Sequence, residues 1–244
     1  MSRCAQFVML TFTLMILTAC SGGASINTTS SNQPGNFDQG GKNPPVPTPA
    51  SDFAYEPLVW EKSAAWTKSW SDHLYNTILT KTPELLNGTT DDMTNFCPNY
   101  PNLNTSQKIN FWGMLISAMA KYESGLDPLA RLQETTMGRD PVTGLPVFSE
   151  GLLQLSYQDI RSYSFCNFDW NSDKNLSPTD PRKTILDPFR NLDCGVQILS
   201  SKVVKHKIIA VPARYAYWSV LIPGGKSTRL PNIQNITKTM SFCQ

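Results

Sequence analysis

Histidine is scarce in this chain of 244 residues: only His73 and His206 occur, and both lie far in sequence from any cysteine. No cysteine pair has the C-x-x-C spacing of a zinc site, so neither a metal nor a cofactor is expected. Net charge is equally sparse, with 21 basic against 19 acidic residues, a formal +2 that shrinks further if Arg3 is removed with a leader. That balance excludes a global electrostatic case for nucleic acid, and an anionic partner would have to be met locally. Long apolar runs are missing too: the stretch from Phe7 to Leu17 is too short to span a bilayer as a helix. There are no internal repeats. What remains is ordinary globular composition, 40% hydrophobic and 16% charged, in a length that holds one sizeable domain or two small ones.

Arg3 followed by the short apolar run reads as an export signal. Leu17-Thr18-Ala19-Cys20 resembles the bacterial lipobox. The resemblance implies removal of residues 1–19, a thioether lipid on Cys20, and acylation of its new amino group. Several acyl chains at roughly 0.8 kcal/mol per buried CH₂ would hold the protein to a membrane. Ser21, where an Asp would retain a Gram-negative lipoprotein at the inner membrane, implies the outer membrane, with the protein facing the periplasm. Setting aside Cys4 and Cys20 leaves Cys97, Cys166, Cys194 and Cys243, an even number in an oxidising compartment, and hence two disulfides. Three pairings are open. The expected one joins Cys166 to Cys194 and Cys97 to Cys243, which would tie the chain's end to the front of the domain.

Residues 20–51 are rich in Gly, Ser, Asn and Pro and read as a tether, flexible at first and stiffer through "NPPVPTP". Residues 52–244 read as one mainly α domain. Val59, Trp66, Trp70, Leu74 and Ile78 recur at helical spacing. A second helix, capped by Thr105 or Ser106, carries Trp112, Leu115, Ile116 and Met119 on one face. Residues 124–148 read as a long irregular segment, the kind that is more often functional than idle. A short helix follows in "GLLQLSYQDIRSYSF", then one capped by Asp187 before Pro188, then an apolar segment "ARYAYWSVLI" ending at Pro223-Gly224-Gly225.

Glu123 conflicts with this pattern. It follows Met119 by four residues and Ile116 by seven, so it projects from the stripe that faces the core, in the last turn before Gly125. Desolvation and the negative end of the helix dipole both penalise its ionised form, so its pKa should lie above the unperturbed ~4.3. A raised pKa keeps a proton available near neutrality, as a general acid needs when it protonates a glycosidic oxygen.

Glu123-Ser124-Gly125, Asp127-Pro128, Gly151-Leu152-Leu153-Gln154 and Asp187-Pro188 with Asn191-Leu192 and Gly195 occur in the order of a known superfamily. Over about residues 105–220 the chain resembles the lytic transglycosylases and goose-type lysozymes. The resemblance implies a lysozyme-like fold and cleavage of the β-1,4 bond between N-acetylmuramic acid and N-acetylglucosamine in peptidoglycan glycan strands. It makes Glu123 the catalytic acid and gives substrate-binding roles to Ser124, Gln154 and Tyr217. Trp218 and Val220 depart from the family's Ala-Tyr-Asn-Ala-Gly segment, which leaves Tyr215 as an alternative to Tyr217.

The segment between the acid and Gly151 is longer than in compact transglycosylases and closer to goose-type lysozymes. Lytic transglycosylation, the first expectation with hydrolysis as the alternative, needs one carboxylate, which serves as acid and then as base while the muramic 6-hydroxyl closes an anhydro ring. An inverting hydrolase needs a second, typically ~6.5–9.5 Å away. Glu134, Asp140 and Glu150 are the candidates, with Glu134 preferred and Glu150 also placed along the glycan path. Asp127, Glu134, Asp140 and Glu150 outnumber Lys121, Arg131 and Arg139, which would favour deacetylated glycan. A third reading is a glycan-binding lipoprotein without turnover. The basic run 202–207 is expected to be the wet face of a helix, and Trp60, Trp66, Trp70 and Trp112 to be core. A monomer is expected.

Overall fold

Helices dominate residues 55–64 and 67–244, which are the residues the computed structural model describes. The leader, Cys20, the tether and Trp66 lie outside them, so the expectations placed there have no structural counterpart. Among the described residues the chain is mainly α with one two-stranded antiparallel sheet.

Helix α3 (Thr105–Glu123) is the axis of the fold. Its cap is Asn104 and not Thr105 or Ser106: the Asn104 side chain accepts from the Gln107 N–H at 3.0 Å, while Gln107 Oε1 accepts from the Asn104 N–H at 2.9 Å. That reciprocal arrangement requires an amide or acid three residues on, which Gln107 supplies. Every residue from Ile109 to Ala120 is buried, so the helix is apolar around its circumference and has no single stripe. It runs through the core and emerges at Glu123.

Helices α1 (Lys68–Lys81), α2 (Glu84–Asn87) and α7 (Leu230–Lys238) pack on α3, and α6 (Pro188–His206) packs on α1 and α2. Trp70, Leu74 and Ile78 are the buried face of α1. Val59 belongs to the turn before it, where its N–H donates to Ser117 Oγ at 3.2 Å and the neighbouring Trp60 indole donates to Ser71 Oγ at 2.8 Å. Asp187 caps α6, accepting from the Phe189 N–H at 2.8 Å and the Arg190 N–H at 3.3 Å, with Pro188 at the first helical position. Asp193 locks α6 to α1, accepting from His73, Thr77 and Lys81.

The segment expected to be irregular contains strand β1 (Arg131–Gln133), which pairs with β2 (Phe148–Glu150) in the register Leu132 to Ser149. Two short helices follow, α4 (Asp159–Ser162) and α5 (Trp170–Asp173). Disulfides join Cys97 to Cys243 and Cys166 to Cys194, the latter fastening the loop after α4 to α6.

Candidate active site

The end of α3, the β1–β2 hairpin and the segment around Tyr217 enclose a cleft of about 490 Å³. Glu123 enters it as the last residue of α3. One carboxyl oxygen, Oε1, is buried and has no hydrogen-bond partner among the described residues, while the Val220 N–H serves the carboxylate from the turn Ser219–Leu221. Burial raises the Glu123 pKa, the Val220 bond opposes the rise, and the charge of Glu134 adds to it; the net value is about 7. The expected direction and its principal cause, desolvation, are therefore present, and a like charge contributes what the helix dipole was expected to supply.

Glu134 reaches the cleft because the chain leaving β1 continues the hairpin, with its N–H donating to the Val147 carbonyl at 2.9 Å. The Ser149 hydroxyl donates to Glu134 Oε1 and fixes that side chain. Alternation along β2 then sends Ser149 into the cleft and Glu150 to the opposite face. Glu150, expected on the glycan path and as a candidate base, is instead 2% exposed, held by Arg131 Nε at 2.9 Å and Lys183 Nζ at 2.6 Å. Asp140 is buried too, accepting from the N–H groups of Val142, Thr143 and Gln158, and so shapes the hairpin end.

Gln154 lines the cleft with φ of +50°, in a tight turn closed by paired backbone bonds between Glu150 and Leu155. Its Nε2 donates to the carbonyls of Gly151 and Ala130, so the amide oxygen is left for a ligand donor. Gly151 is required here: its φ is +78°, and a Cβ would stand 2.4 Å from Asn191 Nδ2. Asn191, fully buried on α6, anchors the turn by donating to the Glu150 and Ile185 carbonyls and accepting from the Leu153 N–H.

Tyr217 is the tyrosine in the cleft; Tyr215 stacks on His206 with ring centroids 4.5 Å apart, outside the cleft lining. The Tyr217 hydroxyl donates to Asp159 Oδ2 at 2.5 Å, and burial raises the pKa of both groups. Ser124 does not line the cleft: its hydroxyl donates to the Ala120 carbonyl and closes α3. Asp159 is the cleft carboxyl group that the sequence did not single out. The Ser156 N–H donates to Asp159 Oδ2 at 2.8 Å in the turn that leads to α4, whose N-cap is Gln158, and no local sequence signal announced a cleft role for Asp159.

Among the described residues the cleft thus gathers three carboxyl groups, Glu123, Glu134 and Asp159, and no lysine or arginine lines it. Leu132, 62% exposed, and Met137, 47% exposed, form an apolar lip to the cleft. Among the described residues no group of histidines, cysteines and carboxylates is arranged to hold a metal ion.

No protein-family model matches the chain, and no curated protein matches it. Among solved structures, wild-type DslA (Bd0314) is similar, with 29% identity, a TM-score of 0.65, and coverage of 79% of this chain and 100% of that one. Two variants of DslA, each with one glutamate replaced by glutamine, match at 28% identity with the same TM-score and coverage. In DslA the two replaced glutamates stand eleven residues apart, the spacing that separates Glu123 from Glu134 in this chain. The mainly α architecture and this likeness over the neighbour's full length fit a lysozyme-like fold.

Proposed function

We propose that the protein cleaves the glycan strands of peptidoglycan at the MurNAc-β-1,4-GlcNAc bond, with Glu123 as general acid. The observation that carries this is a carboxyl group raised to about 7 in a cleft that also holds a second, coupled carboxylate. Protonated Glu123 gives its hydrogen to the glycosidic oxygen as the C–O bond breaks. Glu134, steadied by Ser149, accepts a proton from the water that attacks the anomeric carbon, so the reaction is hydrolysis with Glu134 as base. Gln154 and Tyr217 line the path of the sugar. The spacing shared with the glutamates replaced in DslA supports assigning both acids to the chemistry.

Lytic transglycosylation by Glu123 alone is the second reading, favoured by the order of the sequence motifs. Mass spectrometry of digested sacculi separates the two: reducing ends support hydrolysis, 1,6-anhydromuramic ends support transglycosylation. Binding without product from wild type would leave a non-catalytic glycan-binding protein. The absence of lysine and arginine from the cleft lining favours glycan with free amines, so deacetylated sacculi should be cut faster than native ones at low salt. The cleft's carboxyl groups carry this preference, since Asp140 and Glu150 are engaged elsewhere. We further propose that Cys20 carries the lipid and that the protein works from a membrane surface. Loss of labelled palmitate from the Cys20→Ala variant tests that.

A further inference from the structure

Asp159 is the cleft carboxyl group to which the proposed chemistry gives no part. It opens helix α4 and is 5% exposed. Its two oxygens have different surroundings. Oδ2 accepts from the Ser156 N–H at 2.8 Å, the Ser156 hydroxyl at 3.4 Å and the Tyr217 hydroxyl at 2.5 Å, whereas no donor among the described residues reaches Oδ1. Oδ1 is not sealed in the interior either. Among the described residues the enclosed side-chain oxygens that lack a partner are Glu123 Oε1 and Asp173 Oδ1, so Asp159 Oδ1 keeps a surface that solvent can reach, and the space its side chain lines is the cleft. A buried carboxylate gripped at one oxygen and open at the other is an acceptor that a ligand's O–H or N–H group can match.

The same bonds assign a task to Tyr217. A phenol carries one hydrogen, and here it goes to Asp159, so the tyrosine offers none to the cleft. The ring is held between neighbours: its centroid lies 4.6 Å from that of Trp218 and 6.4 Å from that of Tyr163, and the Trp218 indole is itself fixed on the Leu153 carbonyl at 2.8 Å. Tyr217 and the Ser156 N–H therefore grip Oδ2 from two parts of the chain distant in sequence, which fixes the direction of Oδ1. Gln154 has the same polarity, since its Nε2 is spent on two carbonyls and its amide oxygen is left open. Two open acceptors in one cleft select a ligand edge rich in donors, as a sugar ring is.

We propose that Asp159 binds the glycan, its Oδ1 accepting from an O–H or N–H group of a sugar ring, and that Tyr217 is a positioning residue that acts through Asp159. The identity of the ligand rests on the glycan-cleaving reading. The binding role does not require that the bond be cut.

The test uses the full-length Glu123→Gln variant and follows the carbon-13 carboxyl resonance of Asp159, assigned by its loss in Asp159→Asn. Chitotetraose and its fully deacetylated counterpart are the probes, and at least one is expected to shift the resonance saturably. Asp159→Asn turns an amide donor toward a ligand edge that already carries donors. It should weaken binding of that probe roughly ten- to a hundredfold, the loss of a charge-assisted bond, and in the otherwise wild-type enzyme it should raise KM for soluble glycan strands more than it lowers kcat. Tyr217→Phe frees the carboxylate to turn, so it should weaken binding in the parent and add nothing in the Asp159→Asn background. Additive losses would mean that Tyr217 meets the sugar itself, and would overturn its positioning role. No shift of the Asp159 resonance with either probe overturns the binding role without relying on the fold of a substituted Asp159. Cleavage by wild type with KM unchanged in Asp159→Asn overturns the proposal and leaves the glycan-cleaving reading intact, whereas an Asp159-dependent shift without product from wild type upholds the proposal and removes that reading.

Discussion

Glu123 and Glu134 show how side chains can be singled out in a sequence while the geometry that brings them together cannot. The place of Glu123 in the last turn of an apolar helix announces a strained carboxyl. Nothing local distinguishes Glu134 from Glu150, because their difference arises only when β2 forms and alternation sends neighbours to opposite faces. The raised pKa has a thermodynamic counterpart. An acid whose pKa rises on folding, here from the ordinary 4.5 to about 7, holds its proton more tightly when folded. Its contribution is therefore fully present below the lower value and is lost as pH climbs through the higher, at a cost of about 3 kcal/mol. Glu123→Gln escapes that loss, so it should melt above wild type at pH ~8.5 and level with it near pH ~4.5, with glycan cleavage reduced ~10²–10⁴-fold. Equal melting at both pH values would mean that the carboxyl is not penalised by folding. Glu134→Gln removes the like charge, so the Glu123 pKa should fall and the alkaline limb of any residual activity should move to lower pH.

At the scale of elements, α3 was legible through its periodicity and α6 through its periodicity and its Asp187 cap, whereas β1, β2 and α7 were not. Three-residue strands are too short to display an alternation, and Pro231 and the polar residues around the start of α7 mask an amphipathic helix that tertiary packing on α3 secures. Asn104 was missed as a cap because Thr105 and Ser106 stand beside it with equal propensity, and only the Gln107 bond decides among them. The buried pair at the back of β2 makes its own prediction. Glu150→Gln leaves Arg131 and Lys183 without their counter-ion, and breaking such a buried pair costs about 3–5 kcal/mol. Denaturant unfolding should register that loss. A change within 1 kcal/mol, an order-of-magnitude threshold typical of surface pairs, would show the ion pair to be solvated.

Across the whole molecule, the disulfide between Cys97 and Cys243 closes a loop with a sequence separation of 146, fastening the C-terminal turn beside the segment that leads into α3. Chain entropy gives such a closure about 4–5 kcal/mol, so the double Cys97→Ser, Cys243→Ser variant should melt roughly 10 °C lower or more. An unchanged melting temperature would show that packing alone holds the terminus. Cysteine count and an expected oxidising compartment made two bridges legible, and the pairing expected among the three is the one the fold closes. The cleft as a whole was legible only in part: Glu123, Glu134, Gln154 and Tyr217 belong to it, while Asp159 joins from the start of α4 and Ser124 stays with its helix.

The account depends on Glu123 retaining its proton near neutrality inside the cleft. Carbon-13 NMR of the full-length protein with labelled glutamate, assigned through Glu123→Gln, reads the titration of that carboxyl directly. The prediction is a midpoint at about 7 that falls when Glu134 is replaced by glutamine. A midpoint at the ordinary 4.5, indifferent to Glu134, would contradict it.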